Sequence, residues 1–167
     1  MNIRLATAED AEAIAKVHIA SWQEAYKDLL PQDRLSQMSV ERSTDSWQQR
    51  LQAPQHMIFV AEADSEIIGF SSVGPSRDDD AQSTIAELYA IYLLSSEWGK
   101  GTGKALWQKS VECLKQEGYQ SVTLWVFKDN PRARQFYEGM GFILDDREET
   151  FEIFDVTKHE VRYKLTF

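Results

Sequence analysis

The run from Leu88 to Trp107, LYAIYLLSSEWGKGTGKALW, constrains this chain more than any other stretch. It opens as an apolar strand, which spacing extends back to Ile85 and forward to Leu94. A short turn then leads into three alternating glycines, Gly99, Gly101 and Gly103, and a helix follows at once with Lys104 in its first turn. Strand, glycine turn and helix N-terminus in that order form an anion site. The first N–H groups of a helix have no intrahelical partner, and the helix dipole favours negative charge there. Glycine lets a phosphate come close to those N–H groups, since a Cβ would hold it off. It also supplies the positive φ that such turns often require. Lys100 and Lys104 add local positive charge.

Two common phosphate motifs do not fit these letters. The P-loop, G-x-x-x-x-G-K-[ST], would need glycine at Trp98 and a hydroxyl at Ala105. The dinucleotide fingerprint, G-x-G-x-x-G, would end on Lys104 when counted from Gly99 and on Leu106 when counted from Gly101. What fits is x-x-G-x-G directly after an apolar strand. A tight strand-to-helix turn with no ligand would also account for it.

The totals narrow the class. A chain of 167 residues suits one domain and buries roughly 70% of its unfolded surface. Its single cysteine, Cys113, excludes an internal disulfide and points to a reducing compartment. We read that cysteine as a small core hydrophobe. The N-terminal MNIRLATAED lacks the apolar core of a secretory signal, and no run approaches the ~20 apolar residues of a membrane span. The expected location is cytoplasmic. A net charge of −9 argues against nucleic acid as the main partner and is permissive for cationic substrates.

In chain order, Ile3 to Leu5 starts a strand and Thr7 with Asp10 resembles a capping box. Helical spacing runs from Ala8 to about Leu29, and Pro31 ends it. On that helix His18, Trp22 and Tyr26 share a face. They read either as a core stripe or, for Trp22 and Tyr26, as a wall of an acceptor pocket. A second helical region extends from about Pro31 to Ala53, broken near Ser39. Met57–Ala63 and Glu66–Val73 form a hairpin around Asp64-Ser65, with Gly69 marking a bulge or a close backbone approach. Asp78, Asp79 and Asp80 read as a solvated loop tip. A helix covers Lys100 to Gly118, and Ser121–Phe127 is a strand. Asn130 and Pro131 are a good N-cap and first residue for a helix ending at Gly139. A final strand pair follows, from Phe142 onward and from Val161 to Phe167, joined around Phe154 to His159. Strands and helices in this order predict one mixed sheet with helices on both faces. The three histidines lie apart, so no metal site is expected.

Two stretches carry a family resemblance. The glycine turn resembles the pyrophosphate loop of the GNAT acetyltransferases, the superfamily of acetyl-CoA-dependent N-acetyltransferases. Trp98 stands where that family usually has Gln or Arg. About thirty residues later, NPRARQFYEGMGF is similar to the family's N-x-x-A-x-x-F-Y-x-x-x-G-F signature at Asn130, Ala133, Phe136, Tyr137, Gly141 and Phe142. The resemblance implies a single α/β acetyltransferase domain over residues 1–167, with a mostly antiparallel sheet splayed between two parallel strands. It implies that acetyl-CoA pairs with the backbone of Ile91, Tyr92 and Leu93, and that its pyrophosphate rests on the turn of Trp98, Gly99, Lys100, Gly101, Thr102, Gly103 and Lys104. Asn130 would contact it from the other side. Tyr137 stands where relatives often carry a general acid and Glu87 where some carry a general base, many using water instead. A phenol stays protonated at neutral pH and is a sensible donor; for Glu87 a solvent-facing or edge position is the alternative. The acceptor would be an amine of a small molecule or peptide, and many relatives form homodimers. A non-catalytic acyl-CoA sensor of the same fold is the rival reading, and a protein binding another phosphate ligand a third. Asp145, Asp146, Glu148 and Glu149 hint at a cationic acceptor or simply face water.

Overall fold

A computed structural model describes residues 1–167. The chain order is β1 (Asn2–Leu5), α1 (Ala11–Ala25), α2 (Gln32–Ser36), α3 (Val40–Leu51), β2 (Met57–Ala63), β3 (Glu66–Pro75), β4 (Ile85–Leu93), α4 (Thr102–Gln116), β5 (Ser121–Phe127), α5 (Pro131–Gly139), β6 (Ile143–Ile153) and β7 (Val156–Thr166). One seven-stranded sheet has the spatial order β1-β2-β3-β4-β5-β7-β6. Only β4 and β5 are parallel, and every other neighbouring pair is antiparallel.

Alternation along the strands builds a core on each face of the sheet. Ile58 and Val60 of β2 and Phe70 of β3 point to α1 and α3, where they meet Ile14, Val17 and Trp47. Phe59, Ala61 and Val73 point the other way, to Leu106, Trp107 and Leu114 of α4 and to Val122 and Leu124 of β5. Helices therefore cover both faces, as the element order predicts.

Two bulges control β4. Between Ala61 and Glu62 the β2–β3 register slips, leaving Ile68 unpaired beside Gly69. A Cβ on Gly69 would lie 2.2 Å from Leu93 Cδ2 and 3.1 Å from the Tyr92 carbonyl oxygen, so Gly69 is both next to a bulge and a close approach. Between Ser72 and Val73 the β3–β4 register slips again, and Tyr89 is the extra residue. A bulge reverses which side chains face which side. Ala86 and Leu88 lie against α4 before it, as do Ile91 and Leu93 after it, while Ala90 and Tyr92 join the α1 side.

Several boundaries differ from those read in the sequence. Helix α1 ends at Ala25 and not near Leu29, because the N–H groups of Leu29 and Leu30 both bond the Tyr26 carbonyl in a turn. That turn delivers Leu30 to a third small core with Leu35 and Phe127. The break near Ser39 is as read: the second helical region is two helices, split where Ser39 caps α3 by accepting from the Arg42 N–H. Helix α4 begins at Thr102, since Gly99 (φ 76°) and Gly101 (φ 90°) are left-handed and cannot be helical. The last two strands meet at a two-residue turn, Phe154-Asp155, with φ of 51° and 64°. A turn with two positive φ values matches the twist of paired strands, so β7 starts at Val156 and not at Val161. Asp64-Ser65 makes the same kind of turn. The Asp78–Asp80 tip is pinned: Arg162 reaches Asp78 and Asp80, and Asp78 also accepts from the Trp125 indole.

Candidate active site

The parallel pair gives the site its opening. Strands β4 and β5 share only three register pairs, Ile85 with Ser121, Ala86 with Val122 and Glu87 with Thr123. Beyond Glu87 the two strands part. Strand β4 continues on β3 and strand β5 on β7, and a cavity of about 1000 Å³ lies between the separated ends. Its walls include Ile91, Tyr92 and Leu93 from β4 and Trp125, Val126 and Phe127 from β5.

At one end stands the N-terminus of α4. Gly101 is the N-cap and no side chain caps the helix. The first carbonyl of the turn to accept within the helix is that of Gly101, from the Ala105 N–H at 3.0 Å. No backbone carbonyl accepts from the N–H groups of Gly101, Thr102, Gly103 or Lys104. Trp98, Gly99, Gly101, Gly103 and Lys104 line the cavity. Lys100 and the buried Thr102 do not, and both bond the carboxylate of Glu97. The three glycines serve two needs. Gly99 and Gly101 supply left-handed backbone with open space where a Cβ would go. Gly103 is helical, and a Cβ there would lie 2.9 Å from the Phe136 ring and 3.2 Å from Leu93 Cδ1, so it lets α4 pack against α5.

Helix α5 forms the opposite rim. Asn130 is buried, caps the helix by accepting from the Ala133 N–H and lines the cavity. One residue beyond the opening proline, Arg132 lays its guanidinium 3.3 Å over the Trp98 ring, a cation–π contact that joins the two rims. Burial lowers its pKa. Arg132 was not among the residues singled out from the sequence. Tyr137 lies about two turns beyond Asn130 and packs beside Phe136 and Phe142 with its ring at the cavity wall. Burial pushes its phenol far above the ordinary value.

The far end is aromatic and acidic. The shared face of His18, Trp22 and Tyr26 divides. His18 leaves the cavity and stacks on Tyr92 with centroids 5.4 Å apart, accepting from the Trp47 indole. Burial lowers its pKa to about 4. Trp22 and Tyr26 line the cavity, and the Tyr26 hydroxyl lies 3.3 Å from that of Tyr92. The Trp22 indole nitrogen is shielded from solvent and has no hydrogen-bond partner. Glu87 also reaches the cavity wall and is 2% exposed. Its carboxylate is held by Arg77 through the backbone N–H at 3.0 Å and through the guanidinium on both oxygens. Glu149 and Glu160 also line the cavity, together with Asp78, Asp79, Arg77 and Arg147. Of the other acidic residues near the last strands, Asp145 binds Arg162, Glu148 binds Lys128 and Asp146 is exposed. No helix is long and apolar enough to cross a membrane.

The arrangement can take an extended anion along the strand gap, with its charged end on the α4 turn and its other end beside Tyr137. Main-chain amides, a helix dipole and Arg132 suit a diphosphate; the unpaired β4 edge suits an amide-bearing arm. Comparison with known proteins agrees with this geometry. A model of the acetyltransferase (GNAT) family matches residues 19–142. The chain is 36% identical over 164 residues to an uncharacterized N-acetyltransferase, YuaI, of Bacillus subtilis strain 168, an alignment covering 96% of this chain and 90% of that protein. Its fold is similar to that of the PaiA N-acetyltransferase from Thermoplasma acidophilum, solved in complex with coenzyme A, with a TM-score of 0.78, 21% identity and full coverage of both chains. It is also similar to yncA of Salmonella typhimurium, solved with its cofactor acetyl-CoA, with a TM-score of 0.75 and 18% identity over 99% of this chain and 93% of that one.

Proposed function

The chain belongs to the GNAT acetyltransferase family, and from that premise we propose that it transfers the acetyl group of acetyl-CoA to a primary amine of a small molecule or peptide by direct attack. The observation that carries this reading is the parting of β4 and β5 after Glu87, beside a helix N-terminus that no side chain caps. Acetyl-CoA supplies an activated acyl group as a thioester. The N–H groups of Gly99 and of Gly101 to Lys104 hold its diphosphate, that of Lys100 being taken by the Glu97 carbonyl, with Lys104 and Arg132 adding positive charge. Arg132 takes over at Trp98 the cationic contact that this position lacks. The β4 edge at Ile91, Tyr92 and Leu93 binds the pantetheine arm as a missing strand would, and Asn130 contacts it from α5.

Backbone N–H near Tyr92 steadies negative charge on the carbonyl oxygen during attack, an interaction whose loss costs on the order of 3 kcal/mol. Tyr137 gives a proton to the departing sulfur. Its raised pKa keeps the phenol protonated throughout the working range, as a general acid requires. Trp22 and Tyr26 form the acceptor wall. The amine loses its proton to the acidic end of the cavity, of which Glu87 is the member expected from the sequence.

Thiol release from acetyl-CoA, measured across a panel of small amines and N-terminal peptides, tests the reading. Turnover with at least one acceptor supports it. Tight acetyl-CoA binding without turnover would favour the acyl-CoA sensor, and absence of binding would favour some other phosphate ligand.

A further inference from the structure

The inward face of β7 carries three charged residues in sequence, Lys158, Glu160 and Arg162. The two cations are satisfied. Lys158 is buried and bonds Asp129 and the Leu29 carbonyl. Arg162 is buried and bonds Asp78, Asp80 and Asp145. Glu160 stands between them, half-buried, and its carboxylate makes no hydrogen bond or ion pair. Its cross-strand partners are Phe127 on β5 and Glu149 on β6, neither of which offers it a donor. It lines the same cavity as Tyr26, Tyr137 and Glu87. Glu87 differs from it in one respect that matters: Arg77 occupies both of its oxygens.

We propose that Glu160 is the general base of the reaction, accepting the proton from the acceptor's ammonium group. This role rests on the acetyltransferase reading above. Leaving a half-buried carboxylate without a partner is unfavourable, and an entering cation relieves it. The groups facing Glu160 act in opposite senses. Burial raises its pKa most, the charges of Glu149 and Glu87 add to this and Arg77 opposes it, for a value of about 7. The Tyr26 and Tyr92 hydroxyls nearby are kept neutral by burial. Glu149 is itself loosely held by Arg147 at 3.4 Å. A base with a pKa near the working pH both accepts and returns protons readily.

The protons balance. One leaves the ammonium for Glu160 and passes on to solvent. The freed lone pair forms the C–N bond as the C–S bond breaks. Tyr137 protonates the sulfur, and the second nitrogen proton, lost as the amide forms, restores Tyr137 through water. The net change is one ammonium and one thioester to one amide, one thiol and one released proton.

The test compares wild type, Glu160→Gln, Glu160→Asp and Glu87→Gln for turnover of one accepted amine between pH 5.5 and 10, alongside acetyl-CoA affinity and denaturant stability. In wild type kcat/KM should rise through about pH 7 and then level off. Glu160→Gln should fall about 10²-fold at pH 7 and keep rising until the amine's own pKa, because only free amine then reacts. Glu160→Asp should recover part of the loss, and Glu87→Gln should keep the limb but move it below pH 7, since the Glu87 charge that raises the Glu160 pKa is lost. Acetyl-CoA affinity should be unchanged in Glu160→Gln, and that variant should be more stable than wild type at pH 8.5 but not at pH 4.5. An active wild type whose profile survives Glu160→Gln, or a neutral limb that vanishes in Glu87→Gln instead, overturns the role of Glu160 alone. A wild type that binds acetyl-CoA but turns over no amine overturns the acetyltransferase reading and this role with it.

Discussion

Single residues at the cavity separate conformation from packing. Gly101 has φ of 90° and open space at its Cβ position, whereas Gly103 has helical φ and a crowded one. A β-branched residue at Gly101 would be strained by roughly 1–2 kcal/mol and would place its side chain over the N–H groups proposed to hold the diphosphate. Gly101→Val should therefore weaken acetyl-CoA binding by at least 10²-fold in calorimetry while lowering stability by no more than about that strain. Gly103→Ala should do more damage to the fold, about 1–3 kcal/mol by overpacking against the Phe136 ring, read in urea melts. If the two variants show the same balance of affinity and stability, the division of labour is wrong. Tyr137 makes a third case. Tyr137→Phe keeps the packing against Phe136 and Phe142 and removes only the proposed proton donor, so kcat should drop about 10²-fold with acetyl-CoA affinity unchanged. An unaltered kcat and pH profile would remove Tyr137 from the chemistry. The glycines and Tyr137 were legible in the sequence because their spacing is local. Arg132 was not, although it lies two residues from Asn130, because its stacking on Trp98 joins segments that only the folded chain brings together.

At the scale of elements, α1 is the piece that joins the sheet to the aromatic end of the cavity, and titratable groups fix it at two points. At its start Asp10 accepts from the two terminal guanidinium nitrogens of Arg4 and from the Thr7 N–H, and these bonds lower its pKa to about 2. Midway, burial lowers the pKa of His18 to about 4. Both values lie below those of the unfolded chain, so each group adds stability at higher pH and loses it on acidification. For His18 that stability is complete above about 6.5 and drains as pH falls through 4; for Asp10 it is complete above about 4 and drains as pH falls through 2. Urea unfolding should show His18→Gln, which retains an acceptor for Trp47, gaining relative to wild type between pH 6.5 and 4, by up to about 3 kcal/mol. Asp10→Asn should cost about 2 kcal/mol at pH 7 and little at pH 2. The comparison is with wild type at each pH, since Glu160, whose pKa is raised, shifts stability the opposite way between about 7 and 4.5. Equal pH dependence in wild type and His18→Gln would show that His18 is not held neutral. Element boundaries mark where sequence reading stopped. Periodicity found every main strand and helix, but it placed the last connection at Phe154 to His159. The turn is only Phe154-Asp155, with a phenylalanine in a left-handed position where Arg34 stacks on its ring and bonds Asp155. A loop assigned to residues 154–159 left Glu160 at its margin, and with it the inward face of β7.

For the molecule as a whole, the sheet is two cores back to back, and the cavity lies where β4 and β5 stop sharing a ladder. Beyond Glu87 the β4 edge faces a lined cavity, and Phe127, which lines it, is backed by a smaller cluster with Leu30 and Leu35. Over this frame the chain spreads a net charge of −9, while the two co-substrates of the proposed reaction carry opposite charge. The diphosphate must be held locally, by amides and by Lys104 and Arg132, against the field of the rest of the protein. A cationic acceptor is drawn by that same field toward Glu87, Glu149 and Glu160. Salt screens such fields over about 10 Å at 0.1 M, so it should act on the two in opposite directions. Raising ionic strength from 20 to 300 mM should lower kcat/KM for a cationic amine by roughly 3- to 10-fold, chiefly through KM, and should leave acetyl-CoA association the same or faster. A neutral hydroxylamine-type acceptor, tested beside it, should show little salt dependence. If both acceptors respond alike, the acidic end of the cavity does not select by charge, and the acceptor is recognised by the aromatic wall of Trp22 and Tyr26 instead.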